Sequence, residues 1–153
     1  MKPRSKSVAV LSLVALVTLL GGCRGKLVAT ASLRNAGAVD IKFRPPGKKL
    51  VVWADTDMKW KGPKTSKPDV SYEIEIKQGG KVVNKVSCST NERAGTSICG
   101  SHSNIMGTHD ADCEIELACA FPALSGEVEL HVVGKTGPNV ISSQKMSLNI
   151  REE

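Results

Sequence analysis

The chain has 153 residues, a formal net charge of +6 and only 3% aromatic residues. That length suits a single domain, and the scarcity of aromatics leaves Val, Ile, Leu and Ala to build its core. Past the first two dozen residues no apolar run approaches the roughly 20 residues of a spanning helix, which excludes a multi-span helical membrane protein.

The first segment is an address. Met1 to Lys6 carries Lys2, Arg4 and Lys6 and no acid, and an apolar run from Val8 to Leu20 comes next, broken only by Ser12 and Thr18. A basic start, a short apolar stretch and small residues before a cut site make a secretory signal. The cut site, Leu20-Gly21-Gly22-Cys23, resembles the lipobox of bacterial lipoproteins. That resemblance covers residues 1–23 alone. It implies cleavage before Cys23, a diacylglycerol on the Cys23 sulfur and acylation of the new amino group. Two or three acyl chains together hold a protein firmly on a membrane. In that family an Asp in the second mature position marks the inner membrane. Arg24 stands there in this chain, so the resemblance implies an outer-membrane protein facing the periplasm or the outside.

The expected organisation is a signal peptide over 1–22, the lipidated cysteine with a tether or first strand over 23–36, and one β-sandwich domain over 37–153. Without the signal the net charge is +3, the chain's +6 less Lys2, Arg4 and Lys6. From Arg24 to Lys85 there are 14 Lys and Arg against 6 Asp and Glu, and from Val86 to Glu153 there are 4 against 9. Such a split usually marks solvated faces. Arg24, Lys26 and Arg34, close to the anchor, would also favour an anionic membrane surface by about 1 kcal/mol each. Nucleic acid is excluded by export.

Leu27 to Leu33 is a strand or a tether. Val39 to Arg44 alternates apolar and charged residues, the pattern of a half-buried strand, and Pro45-Pro46-Gly47 ends it. Leu50 to Ala54 is a second strand. Met58 to Pro68 is polar with two prolines and is expected to be a loop. Val70, Tyr72, Ile74 and Ile76 alternate with Ser71, Glu73, Glu75 and Lys77. Gln78-Gly79-Gly80 turns the chain, and Lys81 to Cys88 returns to complete a hairpin. Residues 89–112 show no period and are expected to be a long functional or cross-linked loop. Cys113, Ile115, Leu117, Cys119 and Phe121 face one way along the next strand. Val128, Leu130 and Val132 form another, and Val140, Met146, Leu148 and Ile150 line one face of the last. No stretch has sustained helical spacing. The expected class is all-β, a small β-sandwich of immunoglobulin-like or jelly-roll type, with a small β-barrel as the alternative.

With Cys23 taken by lipid, Cys88, Cys99, Cys113 and Cys119 remain. An even number in an oxidising compartment implies two disulfides. Cys113 and Cys119 on one extended strand would be about 20 Å apart, beyond the roughly 7 Å that a disulfide allows. Cys88–Cys119 with Cys99–Cys113 is the favoured pairing, and Cys88–Cys113 with Cys99–Cys119 remains open.

The long loop holds His102, Met106, His109, Asp110 and Asp112 between Cys99 and Cys113. His with Met suits copper, and His with Cys suits zinc. Oxidised cysteines would leave a set whose spacing demands no metal, so no cofactor is expected. Asp55-Thr56-Asp57 could supply calcium ligands, but Met58-Lys59-Trp60 after it adds no further oxygen donors, and a strand-end turn is the simpler reading. Trp53 and Trp60 are core candidates. An exposed Trp60 in the basic loop would instead mark a contact surface. His131 alternates with Leu130 and Val132 and should point to solvent. A triad of His102 or His109 with Asp110 and a loop serine is a guess that any Ser-rich loop permits. There is no nucleophile elbow, zinc-protease motif or phosphate-binding glycine loop. The chain is therefore not expected to be an enzyme. The leading expectation is a membrane-anchored envelope lipoprotein that contacts another envelope or secreted protein. Copper or zinc handling by the Cys99–Cys113 loop is the second, and electrostatic binding of an envelope polyanion the third. The long loop and the basic loop from Lys59 to Lys67 are the surfaces to test first.

Overall fold

A computed structural model describes residues 24–92, 96–100 and 103–153. The signal peptide, Cys23 and His102 lie outside the described residues. Ten strands are formed among them: β1 (Lys26–Ala31), β2 (Gly37–Phe43), β3 (Leu50–Lys61), β4 (Val70–Gln78), β5 (Lys81–Ser89), β6 (Ser97–Cys99), β7 (Ser103–Ile105), β8 (Thr108–Leu117), β9 (Val128–Thr136) and β10 (Val140–Glu152). They make two antiparallel sheets. One has the order β1-β10-β3-β8-β6, with β7 also on β8, and the other has the order β2-β9-β4-β5. The chain is all-β, as its alternating pattern requires. The sheets are open rather than closed into a barrel and pack face to face as a sandwich.

Alternation explains the packing. Val70, Tyr72, Ile74 and Ile76 on β4 and Val128, Leu130 and Val132 on β9 turn inward. They meet Leu50, Val52, Ala54, Met58 and Trp60 of β3 and Met146, Leu148 and Ile150 of β10 in one cluster. Burying a Leu or Ile side chain is worth roughly 1.5–3 kcal/mol, so this cluster drives the two sheets together. Tyr72 is fully buried, and its hydroxyl crosses the core to donate to the Met146 carbonyl at 3.2 Å. Burial pushes the Tyr72 phenol well above its ordinary value, and the Asp55 carboxylate adds to the rise.

Several expectations are corrected. Of the two readings of Leu27 to Leu33 the strand is formed, β1 pairing with β10 from Lys26 to Ala31, so the sandwich begins before residue 37. β3 continues through Asp55-Thr56-Asp57 to Lys61 where a turn and a loop were expected. It can do so because β10 and β8 hydrogen-bond it on both sides, which satisfies backbone groups that a polar segment would otherwise give to water. Trp60 is therefore 2% exposed and inside, not in a basic loop. Trp53, an odd number of residues away, lies on the opposite face of β3. It is buried at the outer side of the sheet, with the Arg24 guanidinium 5.8 Å from its ring centre. Part of the segment 89–112 is ordered as β6, β7 and the first half of β8. These strands are too short or too polar for a period to show. At its other end β8 stops at Leu117, opposite Val52 near the start of β3, so Cys119 is beyond the strand.

The disulfides are Cys88–Cys119 and Cys99–Cys113. The first joins β5, at the edge of one sheet, to the segment leaving β8 in the other. The second links directly opposed residues of β6 and β8 within one sheet. Cross-linking constrains the unfolded chain more when the closed loop is longer, and the separations are 31 and 14 residues. Replacing Cys88 and Cys119 by Ala is expected to cost about 2–5 kcal/mol and more than replacing Cys99 and Cys113. Urea unfolding of the two double variants measures this, and an equal or reversed order would contradict it.

Tyr72 gives a pH dependence with a definite sign. Its folded-state value is raised above 10.0, so the folded state keeps a proton that the unfolded state loses. The stabilisation is fully present below pH 10 and is lost as pH rises above it. At neutral pH Tyr72→Phe should destabilise by about 1 kcal/mol through the lost hydrogen bond. That gap should narrow above pH 10, because the variant has no phenol to ionise. A gap that widens in alkali would refute the assignment.

Candidate docking surface

Sequence reasoning named two separate surfaces, the basic loop from Lys59 to Lys67 and the long loop over residues 89–112. The structure joins the Met106–Gly107 turn of the second to the first as one rim. β3 delivers Lys61 and Gly62 beside the β7–β8 turn, and the Gly62 amide donates to the Gly107 carbonyl at 3.0 Å. The Lys61 amide donates to the Asn139 carbonyl at 2.8 Å. Asn139 also clasps the basic loop with its side chain, accepting from the Asp69 amide at 2.9 Å and donating to the Lys67 carbonyl at 2.9 Å. Residues far apart in sequence are thus knitted into one end of the sandwich.

His109 fastens this rim from below. It is 1% exposed, its ring stacks on Trp60 at 5.1 Å, and its Nε2 lies 3.1 Å from the Gly62 carbonyl and 2.9 Å from the Pro63 carbonyl. Carbonyls only accept, so Nε2 carries the proton and donates to both. The Trp60 Nε1 donates to Ser66 Oγ at 3.1 Å in the same loop. His109 is consequently a packed, hydrogen-bonded residue of β8 and not a loop ligand. Met106 points the other way and is 100% exposed. The candidate metal pair His109 and Met106 is therefore not brought together, and among the described residues no group of three or more His, Cys, Asp or Glu is placed to hold a metal ion. Asp55 and Asp57, the calcium candidates, lie within β3, and Asp55 is paired with Lys145 at 2.7 Å. His131 is on the outer face of the second sheet, where its Nδ1 donates to Asp40 at 2.8 Å.

A polar cleft of about 330 Å³ lies on the outer face of the first sheet. Arg24, Asp55, Asp112, Glu114 and Lys145 line it, with the Cys99–Cys113 disulfide among them. Arg24 pairs with Glu114, and Lys145 with Asp55, so much of its charge is neutralised internally.

No family model and no curated protein matches this chain.

What sets the rim apart is Met106. β7 and β8 are joined by the two residues Met106 and Gly107, at φ +53° and +74°. Two successive left-handed residues make the tight turn that suits the twist of a hairpin, a position that favours Asn-Gly. Among the described residues Met106 is the one non-glycine at positive φ, a backbone region that a long L side chain occupies at a cost. A fully exposed methionine in a conformation it disfavours does nothing for the core. Beside it Ile105 is 68% exposed. Sequence reasoning singled out Met106 only as a metal donor, since nothing local signals a left-handed turn at Met-Gly.

Met106→Asn should therefore stabilise the protein by about 0.5–1 kcal/mol, because Asn tolerates the left-handed region. Thermal unfolding checks this, and a destabilised variant would mean that the Met106 side chain has a folding role.

Proposed function

We propose that this chain is a lipid-anchored outer-membrane lipoprotein, and that it docks another envelope or secreted protein through the rim formed by Ile105, Met106 and the basic loop. Met106 carries the reading. A fully exposed methionine held at positive φ, over a backbone tied down by Gly62, Asn139 and His109, is what a preorganised contact needs. Strain kept at an exposed, rigidly supported position is characteristic of binding sites, and methionine adapts well to a partner's surface. Rigid backing also lowers the ordering cost of association.

The anchoring half of the proposal rests on Leu20-Gly21-Gly22-Cys23 and the segment before it. Chain geometry makes it useful. Only Arg24 and Gly25 separate Cys23 from β1, and Gly25 lies against the Glu152 carbonyl at the end of the sandwich opposite the rim. β3 runs from that end to the rim over 12 residues, a span of roughly 36 Å. A lipid on Cys23 would leave the rim facing away from the bilayer that holds it.

Two measurements test the two halves. Intact mass of protein extracted from its native membrane should show a chain starting at Cys23 and carrying lipid, whereas a chain without acyl groups would overturn the anchoring. A photo-crosslinker at position 106 of the anchored protein, in intact cells, should give a discrete adduct that Ile105→Asp abolishes. A crosslinker at Lys42, on the outer face of the second sheet, should not give it. The same adduct from both positions, or none from position 106, would sink the docking surface.

A further inference from the structure

We infer that the partner at this rim presents a carboxylate-rich surface around an apolar side chain. The inference rests on the rim being the docking surface and adds the chemistry of what docks there.

The observation is how this protein treats its lysines. Away from the rim they are neutralised. Lys42 pairs with Glu129 at 3.1 Å, Lys85 with Glu75 at 2.6 Å and Lys145 with Asp55 at 2.7 Å. Lys48, Lys49, Lys77 and Lys135 also have carboxylate partners. The Glu75 side chain holds Lys85 above its ordinary value, and Lys85 in turn holds Glu75 below its own. At the rim this stops. Among the described residues Lys59, Lys61, Lys64 and Lys67 make no ion pair, though Lys59 stands opposite Asp110 in register. Lys26 and Lys81 are the other described lysines without one, and they are scattered elsewhere. Four ammonium groups without an ion-pair partner therefore come from one short segment, whose Gly62 is hydrogen-bonded to the turn that exposes Ile105 and Met106.

Ammonium groups flanking an apolar centre fit a partner with the inverse arrangement. Apolar side chains bury at the middle of an interface while charges at its edge steer and orient the approach. A bare polyanion would engage the lysines and leave Ile105 and Met106 in water. The bilayer holding the proposed anchor lies at the far end of the sandwich. An acidic protein surface with an apolar residue at its centre uses both parts of the rim.

The test uses the full mature protein in detergent micelles and a displayed library of random peptides as the probe. Selected peptides should combine Asp and Glu with an apolar residue. Their affinity should fall about tenfold in Lys61→Glu with Lys64→Glu, and comparably when salt rises from roughly 50 to 300 mM. Lys61→Arg with Lys64→Arg should retain binding, and Lys81→Glu should leave it unchanged. Neutral or basic peptides, or acidic ones indifferent to these lysines, would overturn the inference. So would inorganic polyphosphate binding that needs the lysines but ignores Ile105→Asp, since that is a polyanion site. Peptides whose binding survives both Ile105→Asp and Met106→Asp would show that the rim is not the docking surface, a separate failure of the underlying reading.

Discussion

Two-sided hydrogen bonding of β3 is the constraint on which the rest of the molecule depends. This strand pairs with β10 from Leu50 to Trp60 and with β8 from Val52 to Lys61. Strand alternation then sorts its side chains without further instruction. Leu50, Val52, Ala54, Thr56, Met58 and Trp60 go inward, while Trp53, Asp55, Asp57 and Lys59 go outward. Even Thr56 is accommodated inside, its hydroxyl donating to the Cys113 carbonyl at 3.3 Å. Because β3 runs from the chain's entry at Gly25 to the rim at Gly62, it also fixes the distance between the proposed anchor and the proposed contact.

A core with few aromatics makes do in other ways. Trp60 and Tyr72 are its large rings, and each ends in a hydrogen bond that ties two parts of the chain together. Tyr72 reaches from one sheet to the backbone of the other, and Trp60 reaches into the basic loop. Cys88–Cys119 adds a covalent tie between the sheets. Such ties add to what apolar area alone supplies in a small domain.

The surface has two electrostatic regimes. Over the outer faces of both sheets, carboxylates and ammonium groups alternate across strands and pair. Exposed pairs of this kind contribute little to stability, and among the described residues Asp57, Asp110, Asp112 and Glu116 on the outer face of the first sheet make none. The rim keeps its lysines unmatched and its Ile105 and Met106 in water. Its backbone is nevertheless hydrogen-bonded between distant chain segments, with His109 buried beneath it. Order below and unmatched chemistry above are together what the proposed contact would use.

The sequence by itself determined the all-β class and the β4–β5 hairpin. It also favoured the disulfide pairing that the structure holds. The strands it revealed are those with one face in the core and one in water, because burial then writes a period of two directly into the residues. Tertiary structure decided the rest. The second half of β3 also alternates, but Asp, Thr, Lys and Met resemble a loop until strands on both sides take up the backbone. β6 and β7 have three residues each, too few for a period. His109 looked like a loop ligand because nothing local announced that Trp60, 49 positions earlier, would cover its ring. The rim itself joins Gly62, Gly107 and Asn139, and contacts across such separations are set by sheet register, which no local pattern encodes.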